Sequence, residues 1–178
     1  MSPSASSRSR PAAPPFATVL ECHGRALLRF CISQAGPDRG EDVFQEAMMS
    51  ALRAYDTLQD PGAVRSWLFS IAARKAIDSH RAAGRAPVPV QEPGEWAVEH
   101  AADPAARVAD DELWRDVARL PVKQRQAVAL RFIADLSHRE IGQVMGTSED
   151  AARRNVFEGV RRLRDDLTNA EGVRVPRS

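Results

Sequence analysis

The sequence predicts an all-α protein made of two small helical domains joined by a flexible linker. Its apolar residues are mostly Ala, Val and Leu, and 6% of the chain is aromatic, a mixture that favours helices over sheets. Apolar residues recur at helical intervals in two segments, 16–83 and 104–167. The segment between them begins GRAPVPVQEPGEW, and its three prolines and two glycines are typical of a linker.

Both ends of the chain are predicted to be tails. Residues 1–15 are rich in Ser, Pro, Ala and Arg, a composition that buries too little apolar surface to order itself. The predicted divisions are a disordered tail at 1–15, a first domain at 16–83, a linker at 84–103, a second domain at 104–167 and a tail at 168–178.

Three helices are predicted in the first domain. The first starts at Phe16 and ends before the Ala-Gly-Pro break at 35–37, the second opens at Asp42, and the third follows the turn residues at 58–62. The expected inward side chains of the second and third helices are Val43, Ala47, Met48, Ala51, Leu52, Tyr55, Val64, Trp67, Leu68 and Ile71.

Four helices are predicted in the second domain. Asp103-Pro104 starts the first, because Pro suits the first helical position, and a second helix runs from Val122 to Ile133. Ser137 and Glu140 then form a capping box before a short helix, which ends at Gly146. A longer helix with basic outward residues follows, so the pair is predicted to be a helix-turn-helix whose second helix enters the DNA major groove.

Charge is distributed unevenly although the net charge is only +1. Residues 84–119 carry four Lys/Arg against eight Asp/Glu, whereas residues 120–178 carry eleven against eight. Much of the basic surplus lies between Arg153 and Arg164. This pattern places an acidic segment between the domains and a basic face on the last helix.

Catalytic and metal-binding patterns are absent from the sequence. It contains no HExxH pattern, no phosphate-cradling glycine loop and no zinc-finger spacing of Cys and His, so no metal, cofactor, small-molecule substrate or enzymatic activity is expected. Cys22 and Cys31 are separated by about 13 Å of helix rise, too far for a disulfide. No apolar stretch approaches the roughly 20 residues of a membrane span, and the amino terminus lacks the core of a secretory signal, so a cytoplasmic protein without membrane insertion is expected.

Several strings in both domains follow one another in a characteristic order. They are GEDVFQEAMMSALRAYDTL, DPGAVRSWLFSIAARKAIDSHR, LPVKQRQAVALRF, DLSHREIGQVMGTSEDAARRNV and RRLR. With the Pro-rich acidic linker between them, they resemble the extracytoplasmic-function (ECF) sigma factors over roughly residues 16–167. The resemblance implies a factor that binds core RNA polymerase, recognises the −35 and −10 promoter elements and assists promoter melting.

The resemblance implies a polymerase-binding surface on the second helix. Its residues recur at i, i+3, i+4 and i+7, so they form one stripe opposite the apolar face. They are Asp42, Gln45, Glu46 and Met49. In an unrelated helix such a stripe would simply be solvated, whereas here the resemblance implies docking on the clamp helices of the largest polymerase subunit.

The resemblance also implies a reader of the −10 element in the loop at 58–65 and along the third helix. There a base is taken out of the stack and the opened strand is held by positive charge. The implied residues are Leu58, Gln59, Asp60, Arg65, Arg74, Lys75, Asp78 and Arg81. Ordinary surface charge is the alternative for Arg74 and Lys75, and many relatives carry Asn where this chain has Arg74, which leaves the preferred base open.

The start of the last helix matches the family's reader of the −35 element. Its residues are Ser148, Glu149, Arg153, Arg154, Asn155 and Phe157. Arginine suits guanine edges or phosphates, and asparagine suits adenine. Relatives often carry basic residues or His at the positions of Phe157, Glu158 and Val160, so weaker DNA binding is expected. Phe157 could touch a thymine methyl, pack on a partner or lie in the core.

Three further interpretations stay open from the sequence. A helix-turn-helix regulator that acts without polymerase would need a sensor or dimerisation module, and the first domain shows no sign of one. The linker at 84–103 could mimic nucleic acid inside polymerase or could be a solvated tether. The sequence is also compatible with an anti-sigma partner that covers the polymerase-binding faces of both domains.

Overall fold

The computed structural model describes residues 13–83 and 116–173, which form α-helices and two short 3₁₀ turns without any strand. The first domain consists of α1 (Phe16–Ala35), α2 (Pro37–Ala54) and α3 (Val64–Ala83). The second contains α4 (Val122–Phe132), α5 (His138–Met145) and α6 (Glu149–Val173), preceded by helical residues 116–119. The all-α, two-domain prediction is confirmed. The predicted linker, the start of the second domain and most of the first tail lie outside the described residues.

Three boundaries differ from the sequence prediction. Helix α2 begins at Pro37 rather than Asp42, because Gly36 turns the chain with a φ of 83° and Pro37 suits the first helical turn. Helix α6 continues to Val173 rather than ending at residue 167, since residues 160–171 contain no glycine or proline that would end it. Contacts also begin before Phe16, since the Tyr55 hydroxyl donates a hydrogen bond to the Pro14 carbonyl.

Helices α1 and α2 approach each other closely beyond their turn. A Cβ atom on Gly40 would lie 2.5 Å from the backbone Cα of Ile32, so only glycine allows this spacing. The buried side of α2 carries Val43, Ala47 and Ala51, as predicted. Leu52 was predicted to face inward and is instead 59% exposed, because it lies nine residues, or two and a half helical turns, beyond Val43.

Helix α3 is covered on more than one side. Leu68, Phe69, Ala72, Ala73 and Ala76 are all buried, which is a wider band than the predicted positions Val64, Trp67, Leu68 and Ile71. The ring of Phe69 packs edge-on against Phe30 of α1, with 5.4 Å between centroids. Such a wide buried band requires a second packing partner besides α1 and α2, and that partner is the second domain.

The two domains share one continuous hydrophobic core. Helix α3 contacts α5 and α1 contacts α4, and Leu130 and Ile141 of the second domain are fully buried in the same cluster as Leu27 and Leu68 of the first. At the edge of this contact, Arg65 of α3 lies 3.6 Å from the Asp135 carboxylate in the α4–α5 loop.

His80 of α3 lies at a second point of this junction. Its Nε2 atom is 2.7 Å from the Gln34 carbonyl oxygen and 3.2 Å from Nη2 of Arg125 in α4. A neutral ring can donate to the carbonyl, but a protonated ring would place a second positive charge beside Arg125. Burial lowers the pKa of His80; the bond to Gln34 opposes this shift, and the charges of Arg125 and Arg39 add to it.

Acid should therefore destabilise the protein through His80. Because its pKa is lower in the folded than in the unfolded state, unfolding takes up a proton, and stability present above pH about 6.5 is lost as the pH falls. His80→Gln keeps a donor for the Gln34 carbonyl but does not titrate. We expect it to lose less free energy of unfolding than the natural chain between about pH 7.5 and 5.5, measured by urea unfolding.

His138→Gln makes the same change at a histidine of the helix-turn-helix and is the matched control, which should keep the full pH dependence. An equal pH dependence of the free energy of unfolding in His80→Gln and the natural chain would show that protonation of His80 does not destabilise the junction.

Candidate nucleic-acid interface

The helix-turn-helix is fixed by backbone hydrogen bonds at both ends of α5. At its start the Ser137 hydroxyl accepts from the Glu140 N–H (3.3 Å), and the Glu140 carboxylate accepts from the Ser137 N–H (2.8 Å), so the predicted capping box is present. The Ser137 hydroxyl and N–H hold the pKa of the Glu140 carboxyl below its usual value. At its end Gly146 adopts the left-handed conformation, as predicted.

The turn itself is tight because Gly142 lies against backbone. The Thr147 N–H donates to the Gly142 carbonyl (2.8 Å) and the Gly146 N–H to the Gln143 carbonyl (3.3 Å), a Schellman arrangement. A Cβ atom on Gly142 would lie 2.9 Å from the Thr147 carbonyl oxygen. Gly142 is not among the residues predicted from the sequence, although a glycine in the middle of a short amphipathic helix was an available signal.

Helix α6 starts with side chains that organise its own first turn. The Ser148 hydroxyl accepts from the Ala151 N–H (3.2 Å), which makes Ser148 the cap of this helix. Arg153 pairs with Glu149 (3.1 Å) and with Asp150 (3.5 Å), all on exposed positions. These residues therefore satisfy one another in the free protein.

The outward face of α6 differs from its buried face in chemistry. Ala152, Val156, Gly159 and Leu163 are buried. Phe157 is 66% exposed, so the interpretation that it lies in the core is wrong. Asn155 is partly buried and its amide donates to the Ala151 carbonyl (2.9 Å), so it is turned towards its own helix rather than outward.

The predicted polymerase stripe is fully exposed. Asp42, Gln45, Glu46 and Met49 all lie on the outer side of α2, and the apolar Met49 side chain is 54% exposed. Glu46 lies 3.4 Å from Lys75 of α3, so this stripe and the α3 stripe form one continuous polar surface. Leu52, described above, extends it with an apolar side chain.

The residues predicted to read the −10 element fall on two different sides of α3. Arg74, Asp78 and Arg81 are exposed along one stripe, with Asp78 3.9 Å from Arg81. Arg65 is two and a half turns before Arg74, on the opposite side, and faces the second domain. The structure thus brings Arg74, Lys75, Asp78 and Arg81 together and separates Arg65 from them.

The loop before α3 is shaped by Asp60. Its carboxylate accepts from the Gly62 N–H (2.8 Å) at the start of a 3₁₀ turn, while Gln59 beside it is exposed. Leu58 is only 8% exposed and packs beneath the loop, so its side chain supports the surface rather than forming it. Trp67, predicted as a core residue, is partly buried and its ring lies 6.1 Å from that of Tyr55.

The remaining reactive groups do not form a site among the described residues. Cys22 is exposed and Cys31 is buried, and both are free thiols. Burial raises the pKa of Cys31 to about 12, so this thiol stays protonated. Residues 13–83 and 116–173 contain no group of three or more His, Cys, Asp or Glu that could hold a metal ion. No helix in the described part of the chain is long and apolar enough to cross a membrane.

A small three-helix domain packed on a helix-turn-helix domain, with an exposed polar surface on the first and an exposed basic helix face on the second, defines a DNA-binding transcription factor of two-domain sigma architecture. Family models agree with this class. The model described as Sigma-70 region 2 matches residues 19–86, and the model described as Sigma-70, region 4 matches residues 110–163. These matches correspond to the two predicted domains.

Proteins that are similar to this one over most of its chain are described as ECF RNA polymerase sigma factors. The ECF RNA polymerase sigma factor SigD of Mycobacterium tuberculosis is 30% identical over 85% of this chain and 76% of its own length. The ECF RNA polymerase sigma-E factor of Escherichia coli is 30% identical over 72% of this chain and 71% of its own length. The protein therefore belongs to the ECF sigma factors, and it directs promoter-specific transcription initiation by RNA polymerase.

A solved structure shares the fold. The sigma factor RpoE of Bartonella quintana, in a co-crystal structure with the anti-sigma factor NepR, matches with a TM-score of 0.73. Its sequence is 21% identical, and the match covers 86% of this chain and 96% of that one.

Replacing Gly142 should disrupt promoter binding by the second domain. In Gly142→Val the added side chain would collide with the backbone of residues 147–149, so α5 and α6 must move apart. We expect a loss of stability of about 1–3 kcal/mol, measured by urea unfolding, together with a loss of binding to DNA carrying the −35 element.

Gln143→Val places the same side chain on the exposed neighbouring position and should leave both properties nearly unchanged. A Gly142→Val protein with natural stability and DNA binding would contradict the close approach at this turn.

Proposed function

We propose that this sigma factor docks on core polymerase through α2, reads the −10 element with the exposed stripe of α3 and reads the −35 element with the outer face of α6. The single observation that supports this division best is that these three surfaces are exposed, whereas the remaining faces of the same helices are buried in the shared core. Each surface also differs in chemistry, and each suits a different partner.

The α2 stripe suits a protein partner. Protein interfaces combine an apolar centre with a polar rim, and Met49 and Leu52 supply large exposed apolar side chains beside Gln45 and Glu46. The ion pair of Glu46 with Lys75 is exposed and so contributes little to stability. Glu46 is therefore available to a partner at small cost to the fold.

The α3 stripe suits a single DNA strand. Arg74 and Lys75 supply positive charge, while Asp78, together with Gln59 and Asp60 of the loop before α3, adds polar groups that can bond base edges. Arg65 is held by Asp135 in the packed arrangement of the two domains. We propose that it joins the −10 reader only when the second domain moves away.

The outer face of α6 suits the major groove of duplex DNA. Arg154 is exposed and makes no ion pair within the described residues, so its guanidinium can reach a guanine edge or a phosphate directly. Arg153 must first give up Glu149 and Asp150. The two arginines are thus expected to contribute unequally.

We also propose that the protein acts in the cytoplasm, has no catalytic activity of its own, and is held inactive by an anti-sigma protein until a signal releases it. The proposed anti-sigma control is supported by the co-crystal structure of a fold relative with its anti-sigma factor. An anti-sigma protein that covered the α2 stripe would exclude polymerase from the surface proposed for docking.

Changing the α2 stripe should abolish transcription that depends on this protein. Core RNA polymerase with the natural chain should start transcription at discrete sites on fragmented genomic DNA, and these sites should share spaced −35 and −10 elements. With Gln45→Ala and Glu46→Lys combined, we expect these starts to disappear and the affinity for core polymerase to fall at least about tenfold, while the circular dichroism spectrum stays unchanged.

Glu21→Lys is the matched control, because it makes the same charge change on an exposed position of α1. It should bind polymerase as the natural chain does. Unchanged affinity in the double variant would remove α2 as the docking surface, and natural protein that never binds core polymerase would leave a plain helix-turn-helix regulator as the better function.

Arg154→Ala should reduce transcription from promoters that depend on their −35 element. We expect it to lower run-off transcription roughly tenfold on a promoter with this element, and we expect Arg153→Ala to have a smaller effect. The control template is the same promoter with its −35 element scrambled. An equal loss on both templates would show that Arg154 does not read this element.

A further inference from the structure

Phe157 is the exposed aromatic residue on the helix proposed to enter the major groove. It lies on one outward stripe of α6 with Asp150, Arg154 and Arg161, which are spaced at four, three and four residues, and all four are exposed. Single exposed apolar residues are ordinary on protein surfaces. What distinguishes Phe157 is its position between two arginines.

The two flanking arginines define what the ring can face. Arg154 lies one turn before Phe157 and Arg161 one turn after it, and neither forms an ion pair with any other described residue. An apolar protein surface would have to bury both guanidinium groups without partners, which is costly. DNA instead offers phosphates to the arginines and an apolar group between them.

Other candidates for base recognition on α6 are engaged by the protein itself. The Asn155 amide donates to the Ala151 carbonyl, and the Glu158 carboxylate accepts from Nε2 of Gln124 at 3.0 Å. Arg153 is paired with acidic residues of the first turn. Phe157 is the apolar residue of the outward stripe, and Arg154, unpaired among the described residues, lies one helical turn before it.

We propose that Phe157 contacts the C5 methyl group of a thymine in the −35 element and thereby sets the base preference at one position. The thymine methyl is the apolar group that the major groove presents, and apolar side chains such as phenylalanine contact it. This inference rests on the proposed function, since it needs α6 to lie in the major groove.

Deoxyuridine tests this contact, because it differs from thymidine only by the missing methyl group. Polymerase carrying the full-length protein is bound to promoter fragments in which each −35 thymine, on either strand, is replaced singly by deoxyuridine. We expect one position at which the natural chain loses about fourfold in affinity, as burial of one methyl-sized group implies. Phe157→Ala should bind the thymine fragment more weakly and show no loss at that position.

Phe157→Leu is the matched variant, because it keeps an apolar side chain, and it should retain sensitivity to the methyl group. A 5-methylcytosine placed at the same position tests whether the methyl alone suffices, and it should bind better than cytosine to the natural chain but not to Phe157→Ala.

The inference is overturned if the natural chain is insensitive to deoxyuridine at every position, or if Phe157→Ala keeps the sensitivity. It is also overturned if Phe157→Ala weakens binding of the protein to core polymerase, which would make Phe157 a protein contact. Failure of the proposed function looks different, because scrambling the whole −35 element would then have no effect on the natural chain.

Discussion

The packing of α3 is the constraint on which the arrangement of surfaces depends. Its wide buried band contacts α1 and α2 within the first domain and α5 of the second, so only one stripe of the helix stays exposed. That stripe carries Arg74, Asp78 and Arg81. Because the second domain occupies the opposite side, the same apolar contact that joins the domains also determines which charged residues of α3 a nucleic acid can reach.

The junction between the domains combines two kinds of interaction that contribute unequally to stability. Its ion pair between Arg65 and Asp135 is exposed and contributes little, whereas the burial of Leu130 and Ile141 removes apolar surface from water and contributes more. A phosphate near Arg65 could replace Asp135 at small cost, but separation of the domains would expose the shared core. Another surface would then have to cover this apolar area.

Apart from the start of α2 and the end of α6, the sequence predicted the described helices, the capping box and Gly146 correctly because these features are local: each depends on residues within about one turn. It could not place Phe69 in the core or Arg65 against Asp135, because both depend on packing between elements that are distant in sequence: Phe69 lies against Phe30 of α1, and Arg65 lies against the α4–α5 loop. The early start of α2 was missed since a proline was taken only as a break, although proline also suits a first turn. For α6, helical spacing left Phe157 ambiguous, and only its measured exposure excluded the core.

The chemistry of α6 indicates how the task of promoter recognition is divided. Its first turn neutralises Arg153 internally and turns Asn155 inward, so the protein itself engages two of the polar side chains expected to contact DNA. Since phosphate contacts supply most of the affinity of an isolated DNA-binding domain, we expect such a helix to bind duplex DNA weakly by itself. Weak binding suits a subunit that polymerase already holds near the promoter, because the helix then needs only to discriminate between bases. On the face proposed to read DNA, two arginines that are unpaired among the described residues, with one aromatic ring between them, would be sufficient for that purpose.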